Sequence, residues 1–214
     1  MKVEIWTDVV CPFCYIGKKV FDDFRRELPE GETMEVINRS YELSPEASRT
    51  DSVNTVSSLA DKYGFSLEEA RARMAGVEEM ARRNGLHMNI FEAKGANTHD
   101  LHRLIHFARE KGREEELLSA FFRGHFVEGR SLNQREEILG LSEEAGLSIK
   151  EAEAVLESSS YQKEVEADKS KAMRLGIRGV PYFLFDGKYE VSGAQPKEVF
   201  QRVYETARKE SGAV

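Results

Sequence analysis

Cysteine is scarce in this chain: its 214 residues contain two cysteines, and both lie in the tetrapeptide Cys11-Pro12-Phe13-Cys14. Two cysteines cannot form the set of disulfides that holds a small secreted domain together. A disulfide within one tetrapeptide would close so short a loop that it would add little stability. We therefore interpret the pair as a chemical group rather than as a structural bridge.

Long hydrophobic runs and an excess of basic residues are also missing. The longest apolar runs are only a few residues long, whereas a membrane-spanning helix needs roughly 20. Lys and Arg number 31 against 38 Asp and Glu, which gives a net charge of −7 at pH 7, and no dense basic stretch interrupts this balance. Such a field repels phosphates. We expect neither a nucleic acid nor a membrane as a partner.

The first residues indicate the compartment. The segment Lys2-Val3-Glu4-Ile5-Trp6 alternates in the manner of a strand and leaves no room for a signal peptide before it. This pattern predicts a cytoplasmic protein.

The chain begins with the pattern strand, helix, strand. After the first strand, an apolar side chain recurs at every fourth position from Ile16 to Leu28, and Pro29 ends the helix. Residues 34–43 are a second strand candidate, so we predict a βαβ unit with parallel strands. From about residue 51 to about residue 175 the pattern predicts helices alone, six or seven in number.

Strand signals return at residues 180–185 and 188–192, where Asp186-Gly187 is a tight-turn dipeptide and Pro196 suits the start of a last helix. With residues 161–175 as the crossover helix, the order is β-α-β, a helical block, and α-β-β-α. We predict an α/β protein with a thioredoxin fold and a large all-helical insertion.

The insertion defines the expected domains. We predict a discontinuous thioredoxin-like domain at residues 1–50 and 173–214 and an insertion domain at residues 51–172. Because each helix of the insertion has one apolar face, we expect these helices to pack on one another and on the sheet, and so to limit which molecules reach Cys11.

The position of the cysteine pair predicts its chemistry. Cys11 follows the first strand, and Pro12 fits the first helical position because it lacks an N–H that would be unpaired there. At a helix N-terminus, free N–H groups and the helix dipole favour a thiolate. We predict that Cys11 is an exposed nucleophile and that Cys14, one turn on, is a buried resolving thiol. A zinc site with His99, His102 and His106, or two inert buried thiols, are the alternatives.

A second candidate element is Val180-Pro181, at the start of the returning strand. A proline cannot donate to the sheet, and most X–Pro bonds are trans, with only about 5–6% cis. A cis bond would turn the Val180 backbone outward, where it could pair with an extended peptide or with glutathione. Sequence statistics favour a trans Val180–Pro181 bond, whereas the predicted thioredoxin fold favours a cis bond.

Four motifs resemble one family. They are Trp6 to Lys18 around the cysteine pair, Ala96-Asn97-Thr98-His99-Asp100-Leu101-His102-Arg103, Gly179-Val180-Pro181-Tyr182-Phe183, and Val191-Ser192-Gly193-Ala194-Gln195. In these motifs the chain resembles the DsbA-like thioredoxin superfamily, and most closely its cytoplasmic FrnE-like branch. The resemblance implies a thiol–disulfide oxidoreductase, a helical insertion and a cis Pro181, with Pro12, Phe13, Val180 and Pro181 supporting the cysteines.

Two departures from that family change the expectations. Periplasmic DsbA oxidants have histidine where this chain has Phe13, so we expect a reduction potential below that of DsbA, which is about −120 mV against about −270 mV for thioredoxin. Some FrnE-like proteins carry a further cysteine pair, which this chain lacks. We therefore expect no tightly bound cofactor, glutathione or an external dithiol as co-substrate, protein or small-molecule disulfides and thiols as partners, and a monomer or homodimer.

Further candidates for binding a substrate or glutathione are Asn97 and the segment Ser192-Gly193-Ala194. Capping of a helix by Asn97 or Thr98, and a simple turn before the last helix, are the alternatives. Two other functions stay open. One is a glutathione-dependent isomerase or transferase on the same fold, a branch that typically has serine at the position of Cys11. The other is a non-enzymatic peptide-binding or chaperone module.

Overall fold

The four strands form one mixed sheet in the order β2-β1-β3-β4. The computed structural model describes residues 1–210; the fraying that the sequence predicts at Gly212-Ala213 lies outside them. The strands are β1 (Lys2–Thr7), β2 (Glu35–Ser40), β3 (Tyr182–Phe185) and β4 (Tyr189–Ser192). β1 pairs parallel with β2 and antiparallel with β3, and β3 pairs antiparallel with β4. The predicted fold class is confirmed.

Nine helices accompany the sheet in the described part of the chain. They are α1 (Pro12–Arg26), α2 (Thr55–Tyr63), α3 (Leu67–Arg83), α4 (His99–Glu110), α5 (Glu114–Phe126), α6 (Arg135–Glu144), α7 (Ile149–Leu156), α8 (Gln162–Arg174) and α9 (Lys197–Glu210). No helix among residues 1–210 is long and apolar enough to cross a membrane.

The short connection between β3 and β4 has a local cause. Asp186 and Gly187 have φ values of 46° and 71°, which are the positive angles that a tight hairpin turn of this hand requires. Asp186 also accepts a hydrogen bond from the Lys2 backbone N–H at 2.7 Å, which ties the turn to the start of β1.

Phenylalanine rings from two helices and the sheet form the core on one sheet face. Phe21 of α1 lies 5.3 Å from Phe183 of β3, centroid to centroid, and Phe183 lies 4.9 Å from Phe200 of α9. The apolar stripe of α1 supplies these contacts, so the helix that begins at the cysteine pair is anchored on the sheet along its length.

On the other face of the sheet, the contacts come from α8. Trp6, Ala172, Ile177, Tyr182 and Leu184 form a buried apolar cluster. Next to it, the carboxylates of Glu4 and Asp168 lie in a network with two cations. Arg39 bonds both carboxylates, and Lys171 Nζ lies 2.7 Å from Glu4. α8 is therefore held to β1 and β2 by charge as well as by apolar contact.

The chain divides into two compact units, residues 1–43 with 168–214 and residues 44–167. The sequence places these boundaries a few residues later, at 50/51 and 172/173. The difference at the second boundary arises because Asp168, within α8, bonds Arg39 and the Ser40 N–H of the sheet unit. At the first boundary, the carbonyls of Pro45 and Ala47 accept hydrogen bonds from Asn97 of the helical unit.

The helical unit has its own core. Large buried side chains of α4 and α5, among them Leu101, Leu104, Phe121 and Phe122, pack inside it. Ser66 and Glu69 form a complete capping box at the start of α3. Within the described residues of this unit, β pairing is limited to one isolated bridge between Asn54 and Lys94.

Candidate functional site

The cysteine pair lies where β1 ends and α1 begins. Cys11 is the N-cap residue of α1, Pro12 is in the first helical turn, and no side chain caps the helix at this end. The Cys11 N–H donates to the Asp8 carbonyl at 3.0 Å, and the Cys14 N–H donates to the Cys11 carbonyl at the same distance. These bonds set the two thiols one helical turn apart, and both are free thiols in this structure.

Cys11 is buried, contrary to the prediction of an exposed nucleophile. It is 4% exposed, against 1% for Cys14. The reason is tertiary: Cys11 Sγ lies 3.7 Å from the Val180 carbonyl oxygen and donates toward it. The loop before β3 thus covers the thiol that the helix start alone would leave open.

Cys14 lies deeper, and its surroundings favour the neutral thiol. Burial raises the pKa of Cys14 well above its ordinary value, and the neighbouring Cys11 raises it further. The Thr7 hydroxyl and the Asp8 N–H, which lies 3.5 Å from Cys14 Sγ, act in the opposite direction but are weaker. Cys14 is therefore a protonated thiol at neutral pH.

The loop that contacts Cys11 is held by its neighbours. The resemblance implies a cis bond here, and the Val180–Pro181 peptide bond is cis. The Pro181 carbonyl accepts a hydrogen bond from the Gly193 N–H at 2.8 Å, just beyond the end of β4. On the α1 side, a Cβ on Gly17 would lie 2.8 Å from Pro181 Cγ, a distance that real Cβ atoms do not reach.

Phe13 has a different environment from the cysteines on either side of it. Phe13 is 39% exposed, while Cys11 and Cys14 are buried. The phenyl ring therefore forms the solvent-facing surface of the tetrapeptide, and the thiols lie behind it.

Ser192 is the last residue of β4 and pairs with Tyr182, so Gly193 and Ala194, which follow directly, lie beside Pro181. The Gly193 N–H donates to Pro181, and the Gln195 N–H donates to the Gly193 carbonyl at 3.0 Å. Two of the backbone donors expected to bind a carboxylate are thus already used within the protein, which favours the turn interpretation.

Asn97 is engaged on both sides of its amide. Its Nδ2 donates to the Pro45 and Ala47 carbonyls, each at 3.0 Å, and its Oδ1 accepts from the His99 N–H at 3.1 Å. The last bond satisfies a donor at the start of α4, whereas Thr98 makes no capping bond with its side chain. These contacts favour the structural role of Asn97 over ligand binding. The side-chain bond to the start of α4 comes from Asn97, one residue before the N-cap residue Thr98.

The zinc alternative gains no support from the helical unit. Within residues 1–210, no three side chains of His, Cys, Asp or Glu come together in a way that could hold a metal ion. His102 and His106 are buried in α4, at 1% and 6% exposure.

Sequence reasoning from single residues missed the contribution of Thr7, Asp8 and Gly17 to the site. Thr7 and Asp8 bond Cys14, and Gly17 admits Pro181. All three lie in the motif from Trp6 to Lys18 that carries the family resemblance, and the signal for Gly17 is a glycine inside an otherwise regular helical pattern.

The sheet order, the cysteine pair at the first strand-to-helix junction and the adjacent Pro181 loop define a thioredoxin-fold protein. The family model of the DSBA-like thioredoxin domain matches residues 2–205, so the chain belongs to that family, and the family supports an oxidoreductase-type enzyme.

Several known proteins are similar to this chain over almost its whole length. A crystal structure of a probable DsbA oxidoreductase from Streptomyces coelicolor is 42% identical, with a TM-score of 0.94 over 98% of this chain and 91% of that chain. The Bacillus subtilis (strain 168) protein YwbO is 28% identical over 209 residues, which are 97% of each chain. The cytosolic disulfide reductase DsbM from Pseudomonas aeruginosa is 18% identical and shares the fold, with a TM-score of 0.68 over 97% of this chain and 99% of that chain.

Proposed function

We propose that this protein is a thiol–disulfide oxidoreductase in which Cys11 attacks and Cys14 resolves. The observation that carries the proposal is the asymmetry of the pair. Cys11 caps α1 and its sulfur contacts the Val180 carbonyl at 3.7 Å, while burial holds the proton on Cys14. A helix N-terminus favours a thiolate, which is the species that attacks disulfides.

The exchange has two steps. In the first, the Cys11 thiolate attacks one sulfur of a substrate disulfide, and the other substrate sulfur leaves as a thiolate and takes up a proton. In the second, the Cys14 thiol loses its proton and attacks Cys11 Sγ, which forms the Cys11–Cys14 disulfide and releases the second substrate thiol. Two electrons and two protons pass to the substrate, and an external dithiol or glutathione reduces the protein again; the reverse sequence oxidises a dithiol.

The proposal is tested by insulin reduction with dithiothreitol as the electron donor. We expect catalysis by the native protein and none by Cys11→Ser. When reduced Cys14→Ser is mixed with insulin in the absence of dithiothreitol, a mixed disulfide on Cys11 should accumulate, because the first step proceeds and the second does not, and intact-mass measurement detects that adduct. A Cys11→Ser variant as active as the native protein would refute the proposal.

The same variants separate the two alternative functions. A glutathione-dependent isomerase or transferase would need glutathione for turnover and would tolerate Cys14→Ser, because Cys14 takes no part in that chemistry. If the protein is a peptide-binding module, the Cys11→Ser/Cys14→Ser double variant should bind unfolded insulin chains as well as the native protein does. Activity that requires both cysteines and proceeds with a dithiol in place of glutathione excludes both alternatives.

A cytoplasmic location is part of the proposal. It rests on the low cysteine content, two cysteines in 214 residues. Alkylation of thiols in intact cells, followed by fractionation, tests it: we expect the protein in the cytoplasmic fraction with the Cys11–Cys14 pair largely reduced.

A further inference from the structure

A basic segment leads into the loop that contacts Cys11. Arg174 ends α8, and Arg178 lies two residues before Val180. Both side chains are exposed, and within residues 1–210 neither has a hydrogen bond, an ion pair or a ring contact. The chain has a net charge of −7, and most of its Lys and Arg side chains are paired with carboxylates. The unpaired side chains of Arg174 and Arg178 are exceptions to this pattern.

The backbone around Arg178 is anchored on both sides. Ile177 is 8% exposed and belongs to the apolar cluster of Trp6 and Tyr182, and its N–H donates to the Ala172 carbonyl at 3.0 Å. On the other side, the Val180 carbonyl meets Cys11 Sγ at 3.7 Å. Arg178 is thus held in place by its neighbours while its own side chain faces solvent.

Arg178 lies close along the chain to the residue whose carbonyl contacts the reacting sulfur. Two residues of chain span at most about 7 Å, so the Arg178 Cα lies within that distance of Val180. A disulfide that reaches Cys11 must come alongside Val180, because the Val180 carbonyl lies against the sulfur. The exposed Arg178 side chain starts within that distance of Val180, and the field of its guanidinium extends over about 8–10 Å at ordinary ionic strength.

We propose that Arg178 gives the protein a preference for peptide and protein disulfides that carry a carboxylate next to the reacting cysteine. This inference rests on the proposed function and concerns its substrate class. The guanidinium offers paired N–H donors to a carboxylate and keeps its charge at every physiological pH. An exposed pair of this kind changes a rate constant by about 1.4- to 5-fold.

The experiment measures the attack of the reduced protein on short peptides that differ at one position. Each peptide carries a cysteine bonded to a neutral thiopyridine leaving group, with Glu, Gln or Lys as the adjacent residue. Release of thiopyridone reports the attack by Cys11. We expect the native protein to react fastest with the Glu peptide and slowest with the Lys peptide, and this difference should shrink as salt is added.

Variants assign the preference to Arg178. R178Q should remove the difference between the Glu and Gln peptides, and R178K should retain most of it. R202Q is the matched control and should behave as the native protein, because the exposed Arg202 side chain of α9 likewise lacks a partner among the described residues.

Three outcomes would overturn the inference. Equal Glu and Gln rates in the native protein, or an unchanged preference in R178Q, would show that Arg178 does not recognise the carboxylate. A dependence on Arg178 found only with glutathione disulfide, with no preference among peptides, would assign the site to that small molecule instead. Failure of every peptide to react in a Cys11-dependent way is a separate result, which would refute the proposed function itself.

Discussion

The thiols of Cys11 and Cys14 lie in one helical turn but in different surroundings. Cys11 faces a backbone carbonyl of a distant loop, whereas Cys14 is enclosed by Thr7, Asp8 and Cys11 itself. Burial disfavours a charged sulfur, and for Cys14 it outweighs the hydrogen bonds that would stabilise a thiolate. The proposed roles of the two cysteines rest on this difference in surroundings.

This difference predicts a pH dependence for alkylation. In a Cys11→Ser variant, the pKa of Cys14 stays raised because burial is the main cause, so Cys14 remains a neutral thiol near pH 7. Only the thiolate reacts, so the rate with iodoacetamide should begin to rise above the pH at which an exposed cysteine in a peptide has already ionised. Mass spectrometry measures both rates. Equal pH profiles for the protein and the peptide would contradict the buried-thiol assignment.

Gly17 is a positioning residue, since it lets the Pro181 loop approach α1. In Gly17→Ala the new Cβ would lie 2.8 Å from Pro181 Cγ. Overpacking of this kind costs about 1–3 kcal/mol, against a gain of up to about 1 kcal/mol from helix propensity. We expect a lower free energy of unfolding in urea and slower attack by Cys11.

The matched control for that variant is Gly76→Ala in α3. A Cβ at Gly76 meets nothing within 4 Å, so the same substitution should stabilise the protein by about 0.5–1 kcal/mol and leave the exchange rate unchanged. If both variants were stabilised equally, the Gly17–Pro181 contact would have no energetic importance.

At the scale of elements, α8 is attached to the sheet through charges as well as through apolar side chains. Burial alone would raise the pKa of Glu4, but hydrogen bonds from Lys171 and Arg39 outweigh it and hold the pKa below its ordinary value of 4.5. A carboxylate with a lowered pKa stabilises the folded state above its unfolded pKa. That contribution is lost as the pH falls through the folded pKa.

We therefore expect the free energy of unfolding to fall with acidification below about pH 4.5, and part of this slope to vanish in Glu4→Gln. Near pH 7 the variant should lose about 1–3 kcal/mol, because Arg39 and Lys171 are partly solvated and Arg39 keeps its bond to Asp168. Urea unfolding at a series of pH values measures both effects. Glu35→Gln, an exposed position of β2, is the control, and an equal change there would contradict the prediction.

At the scale of the whole molecule, the sheet unit and the helical unit each have a separate core. Local unfolding occurs in cooperative units of this kind. In Glu4→Gln we therefore expect faster hydrogen exchange in β1, β2 and α8, by about 5- to 160-fold for a loss of about 1–3 kcal/mol, with α4 and α5 changed less. Equal acceleration throughout the chain would mean that both units open in one cooperative step.

The role of the helical insertion in choosing substrates stays a prediction of the sequence. Its test is to replace residues 44–167 by a short linker and to compare the reduction of insulin with that of a small disulfide. An unchanged ratio of the two rates in a folded protein would contradict the prediction.

The sequence determined the order of elements and the place of the cysteine pair, because these depend on local patterns. Alternation marks β1, four-residue spacing marks α1, and Asp186-Gly187 suits a turn whose residues both have positive φ. The motif of two cysteines at a strand-to-helix junction is likewise contained within a few neighbouring residues.

Only the tertiary structure decided how the site is enclosed. The burial of Cys11 depends on Val180, 169 residues away in the chain, and the second unit boundary falls within α8 because Asp168 bonds Arg39 and Ser40. Asn97 is occupied by carbonyls some 50 residues distant. Contacts across such separations leave no periodic trace in the sequence, since they are set by how packed elements meet rather than by the local preference of any residue.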